Sequence, residues 1–217
     1  MVSVKIDKQH YYMKLSDRLV RWACAPITRG SSRRGDPSPT QKEKDFEKNW
    51  GNEILNNKTP TPQWTTRVGE GLVKLILEQQ GHTVFKPTIR DHKLPDLETD
   101  ELIIEVKTRN WTTTGTAGEK VLGAPWKYAD VPTIWKKPLV IICVAYQEYE
   151  LTHGNVPILG SGGGPGQKFI KDMYTMMNIH FVPFSKLIEG DIKDLTTYIR
   201  NEYSQVGGRQ ETAVNPP

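Results

Sequence analysis

Cysteine is scarce in this chain: Cys24 and Cys143 are the only two among 217 residues. With no CxxC pair, a zinc ribbon is unsupported. Cys143 falls inside the apolar run PLVIICVAY, so free thiols are expected. Long apolar runs are missing as well. None approaches a membrane span, and Met1 to Arg21 lacks the apolar stretch of a signal peptide, so the expectation is a soluble, cytoplasmic protein without a membrane partner. The histidines His10, His82, His92, His153 and His180 are scattered, with no H-E-x-x-H and no close pair for a histidine-metal nuclease. There is no G-x-S-x-G elbow, no G-x-G-x-x-G after a strand and no internal repeat. The segment LGSGGGPG (159–166) is not a phosphate loop, because Gln167 separates Gly166 from Lys168 and Phe169 follows where Ser or Thr is required. It reads as a connector, and no nucleotide cofactor is expected.

The length suits one domain with a sizeable core. Apolar residues make up 36% and the mean hydropathy is −0.55, which leaves appreciable parts of the chain for solvent. Charge is uneven. Residues 1–34 carry eight Lys or Arg against Asp7 and Asp17, a balance of +6, whereas the whole chain is only +4. A basic arm (1–40) on a near-neutral body is the footprint of a polyanion binder, or else a solvated tail. Lys5 to Val20 has room for a short strand and a helix, and TRGSSRRGDPSPT (28–40) reads as irregular chain that orders on a partner.

From Thr40 the periodicity is helical. Phe46, Trp50, Ile54 and Leu55 share a stripe, with Thr40 and Glu43 placed for a capping box and the Thr-Pro repeats ending the element. In TTRVGEGLVKLILEQQGH, Val68, Leu72, Leu75 and Ile76 form a second stripe, with Thr65 or Thr66 as cap and Gly81 as stop. Glu70 lies near its first turns, where the helix dipole alone favours an acid. HTVFKPTIRDHK reads as a strand interrupted by Pro87.

The next stretch, LPDLETDELIIEVKTR (94–109), carries the chemistry. Leu102, Ile103, Ile104 and Val106 make a strand, and Thr99-Asp100 supplies turn residues. Glu105 and Lys107, two apart, project from one face of that otherwise apolar strand. A strand interior takes such charges when they pair or serve chemistry. If Thr99 and Asp100 form a two-residue loop, Asp96 faces Ile103 and is a diagonal neighbour of Glu105 on the same face. A three-residue loop would send the two acids to opposite faces. Convergent carboxylates beside a lysine suit Mg²⁺, which is held by one or two carboxylates plus substrate phosphate.

The pattern P-D, eight residues, E-V-K resembles the catalytic signature of the PD-(D/E)XK nuclease superfamily, the fold of many type II restriction endonucleases. The match covers the centre of the chain. The resemblance implies an α/β protein, a restriction-endonuclease-like three-layer α/β/α sandwich with a mixed central sheet, spanning 41–203. It implies a Mg²⁺-dependent endonuclease acting on double-stranded DNA, with one or two metal ions. Asp96 and Glu105 would be metal ligands, Lys107 would assist the attack, and Glu70 would be a further ligand, as in some branches. Cutting both strands implies a homodimer. An enzyme of the same superfamily acting on branched or damaged DNA, and a non-catalytic DNA-binding protein, are the alternatives.

After Lys107 the chain supplies candidate DNA contacts. Arg109, Asn110, Lys120 and Lys127 follow the motif, and Arg29, Arg33 and Arg34 belong to the basic arm. Trp111, Trp126 and Trp135 are groove candidates or core residues. Glu119 to Ala129 reads as a helix broken at Gly123-Ala124-Pro125 that crosses over to PLVIICVAY, a central strand covered on both faces. QKFIKDMYTMMN reads as a helix with Met173, Met176 and Met177 in the core. Ile179 to Phe184 is a strand, helix follows to Tyr203 with Asp191 as a cap, and 204–217 is expected to be a flexible tail.

Overall fold

In a computed structural model the described residues are 3–6, 11–14, 17–24, 40–57, 61–110, 121–153, 157–160 and 163–213. Strands β1 (Ser3–Ile6) and β2 (Tyr11–Lys14) pair as an antiparallel hairpin and α1 (Asp17–Cys24) follows. Then come α2 (Gln41–Ile54), α3 (Trp64–Gln79), β3 (Leu97–Glu98) and β4 (Ile103–Arg109). The crossover α4 (Ala124–Lys127) and α5 (Val131–Trp135) leads to β5 (Leu139–Ala145) and α6 (Tyr146–His153). The chain ends in α7 (Pro165–Met176), β6 (Ile179–Pro183), α8 (Phe184–Ile188) and α9 (Leu195–Ala213). No described helix is long and apolar enough to cross a membrane.

The central sheet has the order β3-β4-β5-β6, antiparallel at β3/β4 and parallel elsewhere, with helices on both sides. The run of β5, buried at all seven positions, explains its central place: apolar on both faces, it needs cover on each. One core packs Ile104, Val106, Val140, Ile142 and Val144 against α1, α3 and α8. The other packs Ile103, Leu139, Ile141 and Phe181 against Ala124, Tyr128, Val131 and Trp135 of the crossover region. The expected kink is present: Val121 and Leu122 are helical, Gly123 turns, and α4 restarts with Pro125 in its first turn, where a missing N–H costs nothing.

Local sequence chose several ends correctly. Thr40 and Glu43 form the reciprocal capping box, with Glu43 N–H donating to Thr40 Oγ1 at 3.3 Å and Thr40 N–H to Glu43 Oε2 at 2.7 Å. Gly81, at φ +91°, stops the helical run after α3. Both cysteines are free.

Packing overruled other expectations. Within the expected basic arm (1–40), helix α1 joins the core through Leu19, Trp22 and Ala23. Trp22, Trp50 and Trp64 lock α1, α2 and α3 together, with ring centroids 5.6 to 6.1 Å apart. On α2, Phe46 is 64% exposed and its neighbour Glu47 is buried instead, accepting a hydrogen bond from Trp22 Nε1 at 3.3 Å. Helix α3 starts at Trp64, so neither Thr65 nor Thr66 caps it. The strand expected around Pro87 shrinks to two isolated bridges, Phe85 with Glu98 and Arg90 with Lys93. Of the methionines expected in the core, Met176 and Met177 are exposed and Met173 is half-buried; Thr175 holds the inner position of α7. The backbone N–H groups of Thr196 and Thr197 donate to Asp194, so the cap of α9 is Asp194 and not Asp191. That helix runs past Ser204 to Ala213, where irregular chain was expected.

Candidate active site

The site is built where β3 peels away from β4. Leu97 pairs with Ile104 and Glu98 with Ile103, so the connecting loop is Thr99 to Leu102, closed by Thr99 N–H donating to Leu102 O at 2.9 Å. The two-residue loop read from the sequence is therefore corrected to a four-residue one. Because the register moves by two, an even number, side-chain parity survives and Asp96 stays on the Glu105 side. One step further along the same register sets Asp96 across from Glu105. Asp96 N–H donates to Ile104 O at 3.1 Å and its Oδ2 accepts from Val106 N–H at 2.8 Å. The side chain thus supplies the ladder acceptor that the departing strand no longer offers.

Ile103, Glu105, Lys107 and Arg109 alternate onto one face of β4. Glu105 is 3% exposed. Its Oε1 pairs with the Lys107 ammonium, and the Tyr128 hydroxyl lies beside the carboxylate and favours its charged form. Oε2 is buried without a partner of hydrogen-bonding geometry. Burial, and after it the charge of Asp96, push the Glu105 carboxyl up, against the pull of Lys107 and Tyr128.

Glu70 arrives from α3 because that helix lies unusually close to β4. At Gly69 a Cβ would stand 1.7 Å from Thr108 Oγ1, so only glycine permits this approach. Glu70 is half-buried and its carboxyl lies close to that of Asp96. Burial first, then the charges of Asp96 and Glu105, push it from 4.5 to about 7, with Lys86 opposing. Two acids held this close disfavour the charge on each other.

Two contributors escaped sequence reasoning. Tyr128, 4% exposed, sets its hydroxyl beside the Glu105 carboxylate, whose pKa it lowers, and accepts from Lys127 Nζ at 2.9 Å. Burial and the Glu105 charge raise its own pKa. Lys86 Nζ donates to Asp96 O at 3.0 Å beside Glu70. Spacing from the motif carries no signal for either residue; only the path of the crossover and of the segment before Pro87 places them.

The expected DNA contacts divide. Lys127 is exposed. Arg109 is corrected: it is 7% exposed, ion-paired with Glu150, and stacked 5.1 Å above the Tyr146 ring, so it braces α6 and is not presented to a substrate. Asn110 donates to Glu47 at 3.1 Å, tying the end of β4 to α2. Trp135 is core, beneath Arg90. Arg29, Arg33, Arg34, Lys120 and Trp111 lie outside the described residues.

Among the described residues, no group of three or more His, Cys, Asp or Glu is arranged to hold a metal ion by itself. A Mg²⁺ site does not require such a cage, since one or two carboxylates, waters and a substrate phosphate complete its oxygen shell. The buried, unpartnered Glu105 Oε2 and the crowding that raises Glu70 fit a cation at this point. No protein-family model matches this chain, and no significantly similar curated protein or solved structure is found.

Proposed function

We propose that this chain is a Mg²⁺-dependent endonuclease of the PD-(D/E)XK kind, with a restriction-endonuclease-like fold, that hydrolyses phosphodiester bonds of double-stranded DNA. A sequence-specific, restriction-type activity is the preferred form. What supports the reading is the convergence of Asp96, Glu105 and Glu70 beside Lys107 at the parting of β3 and β4. Structural ion pairs account for one acid and one base; they do not account for three acids whose charges oppose one another.

Asp96 and Glu105 would hold the cation, waters and the substrate phosphate would complete its shell, and Glu70 stands beside Asp96. When bound, a divalent cation supplies Lewis acidity toward the phosphate and lowers the pKa of an adjoining water. Lys107, with 28% of its side chain exposed, presents its ammonium at the rim, where it orients the attacking water and offsets charge growing on the phosphate. Tyr128 fixes the Glu105 carboxylate from the crossover side. Each site cuts one strand, so duplex cleavage calls for two copies related by a twofold axis.

The test is incubation of the purified chain with a long mixed-sequence plasmid and Mg²⁺, followed by sequencing of the ends. Discrete fragments sharing a terminal motif are expected, and Lys107→Ala and Asp96→Ala should each abolish them while circular dichroism stays unchanged. Undiminished nicking by either variant would refute the assignment.

A further inference from the structure

Tyr128 turns the crossover inward, and the two residues before it point out. In a one-turn helix, successive side chains are about 100° apart. Burying Ala124, Pro125 and Tyr128 therefore leaves positions 126 and 127 facing solvent. Lysine at 127 suits that place, and tryptophan at 126 does not: it is 82% exposed, the most exposed of the described large hydrophobic side chains. Lys127 is not free to wander. Its Nζ lies 4.6 Å from the centre of the Tyr128 ring and donates to the Tyr128 hydroxyl, which lies beside Glu105. The exposed indole thus adjoins a cation linked to the acid cluster through one side chain.

We propose that Trp126 and Lys127 form a strand-binding platform at the mouth of the site. Trp126 stacks on a base unstacked from the duplex, and Lys127 meets the phosphate beside it. The inference rests on the nuclease reading and adds to it that one base of the bound duplex leaves the stack. A base inside an intact duplex has both faces covered by its neighbours, so a protruding indole gains a stacking partner only where one base is displaced. The charge of Lys127, with that of Lys107 deeper in the site, complements a phosphodiester backbone.

The test compares three labelled oligonucleotides by fluorescence anisotropy in chelator: a perfect duplex, the same duplex with one unpaired nucleotide, and its single strand. The full chain should bind the last two more tightly. Trp126→Ala should weaken binding to them by about 10- to 100-fold, with little change on the perfect duplex, and Trp126→Phe should retain most of the affinity. Equal affinity of parent and Trp126→Ala for all three oligonucleotides would overturn the platform. So would a dimer in sedimentation that dissociates on Trp126→Ala while affinity per chain is kept, since the indole would then cover a second copy. If the parent cleaves plasmid and Trp126→Ala cleaves and binds alike, only the platform fails. If the parent neither binds nor cleaves DNA with any divalent metal, the nuclease reading fails with it.

Discussion

Replacing Glu70 by glutamine should make the metal-free protein more stable at about pH 8 and no more stable at about pH 4.5. In the folded chain Glu70 is pushed from 4.5 to about 7 by burial and by Asp96 and Glu105. A raised value means that the native state holds more protons than the unfolded one between about pH 4.5 and 7, so stability falls as pH rises through that window. At about 1.36 kcal/mol per pH unit, the full displacement corresponds to about 3 kcal/mol of unfavourable charge above the window. Partial exposure of Glu70 and its coupling to Asp96 reduce what substitution recovers to about 1–3 kcal/mol. The amide cannot ionise, so the advantage of Glu70→Gln should open through the window and level off above it. Urea unfolding in chelator at several pH values reads this directly. A difference that is constant with pH, or a variant less stable above neutrality, would refute the claim that the acids crowd one another. Adding Mg²⁺ should then stabilise the parent more than the variant, since a cation relieves the same repulsion.

Two further outcomes follow from the packing around the site. Gly69→Ala should destabilise the fold by about 1–3 kcal/mol, because a methyl cannot fit against Thr108 without moving α3; thermal unfolding that matches the parent would show that the helix is not held there. Tyr128→Phe removes the hydroxyl that favours the Glu105 carboxylate, so the Glu105 carboxyl should rise further and Mg²⁺-induced stabilisation should need higher pH. A melting shift with Mg²⁺ that follows the same pH profile in parent and variant would mean that the hydroxyl does not support this carboxylate.

The site was partly legible because the strand repeat is two. Glu105 and Lys107 had to share a face of β4 whatever surrounded them, and parity kept Asp96 on that face even though the loop is Thr99 to Leu102 and not Thr99-Asp100. The capping box of α2, the stop at Gly81 and the central, doubly covered β5 were likewise written locally, in residues whose neighbours in sequence are also their partners in space. Alternation can say that Arg109 follows Lys107 onto the same side; it cannot say that Glu150 and Tyr146 of α6 wait there to bury it.

By itself, then, the sequence determined the elements, the α/β alternation and the acid-acid-lysine set, since backbone periodicity and short-range capping depend on residues a few positions apart. Tertiary structure alone decided that α3 presses close enough at Gly69 to bring Glu70 to Asp96, and that the crossover carries Tyr128 to Glu105 and leaves Trp126 in solvent. It also moved α1 out of the basic arm and into the core through Trp22. Those outcomes depend on how close two packed surfaces can come, and no local pattern in the chain specifies that distance.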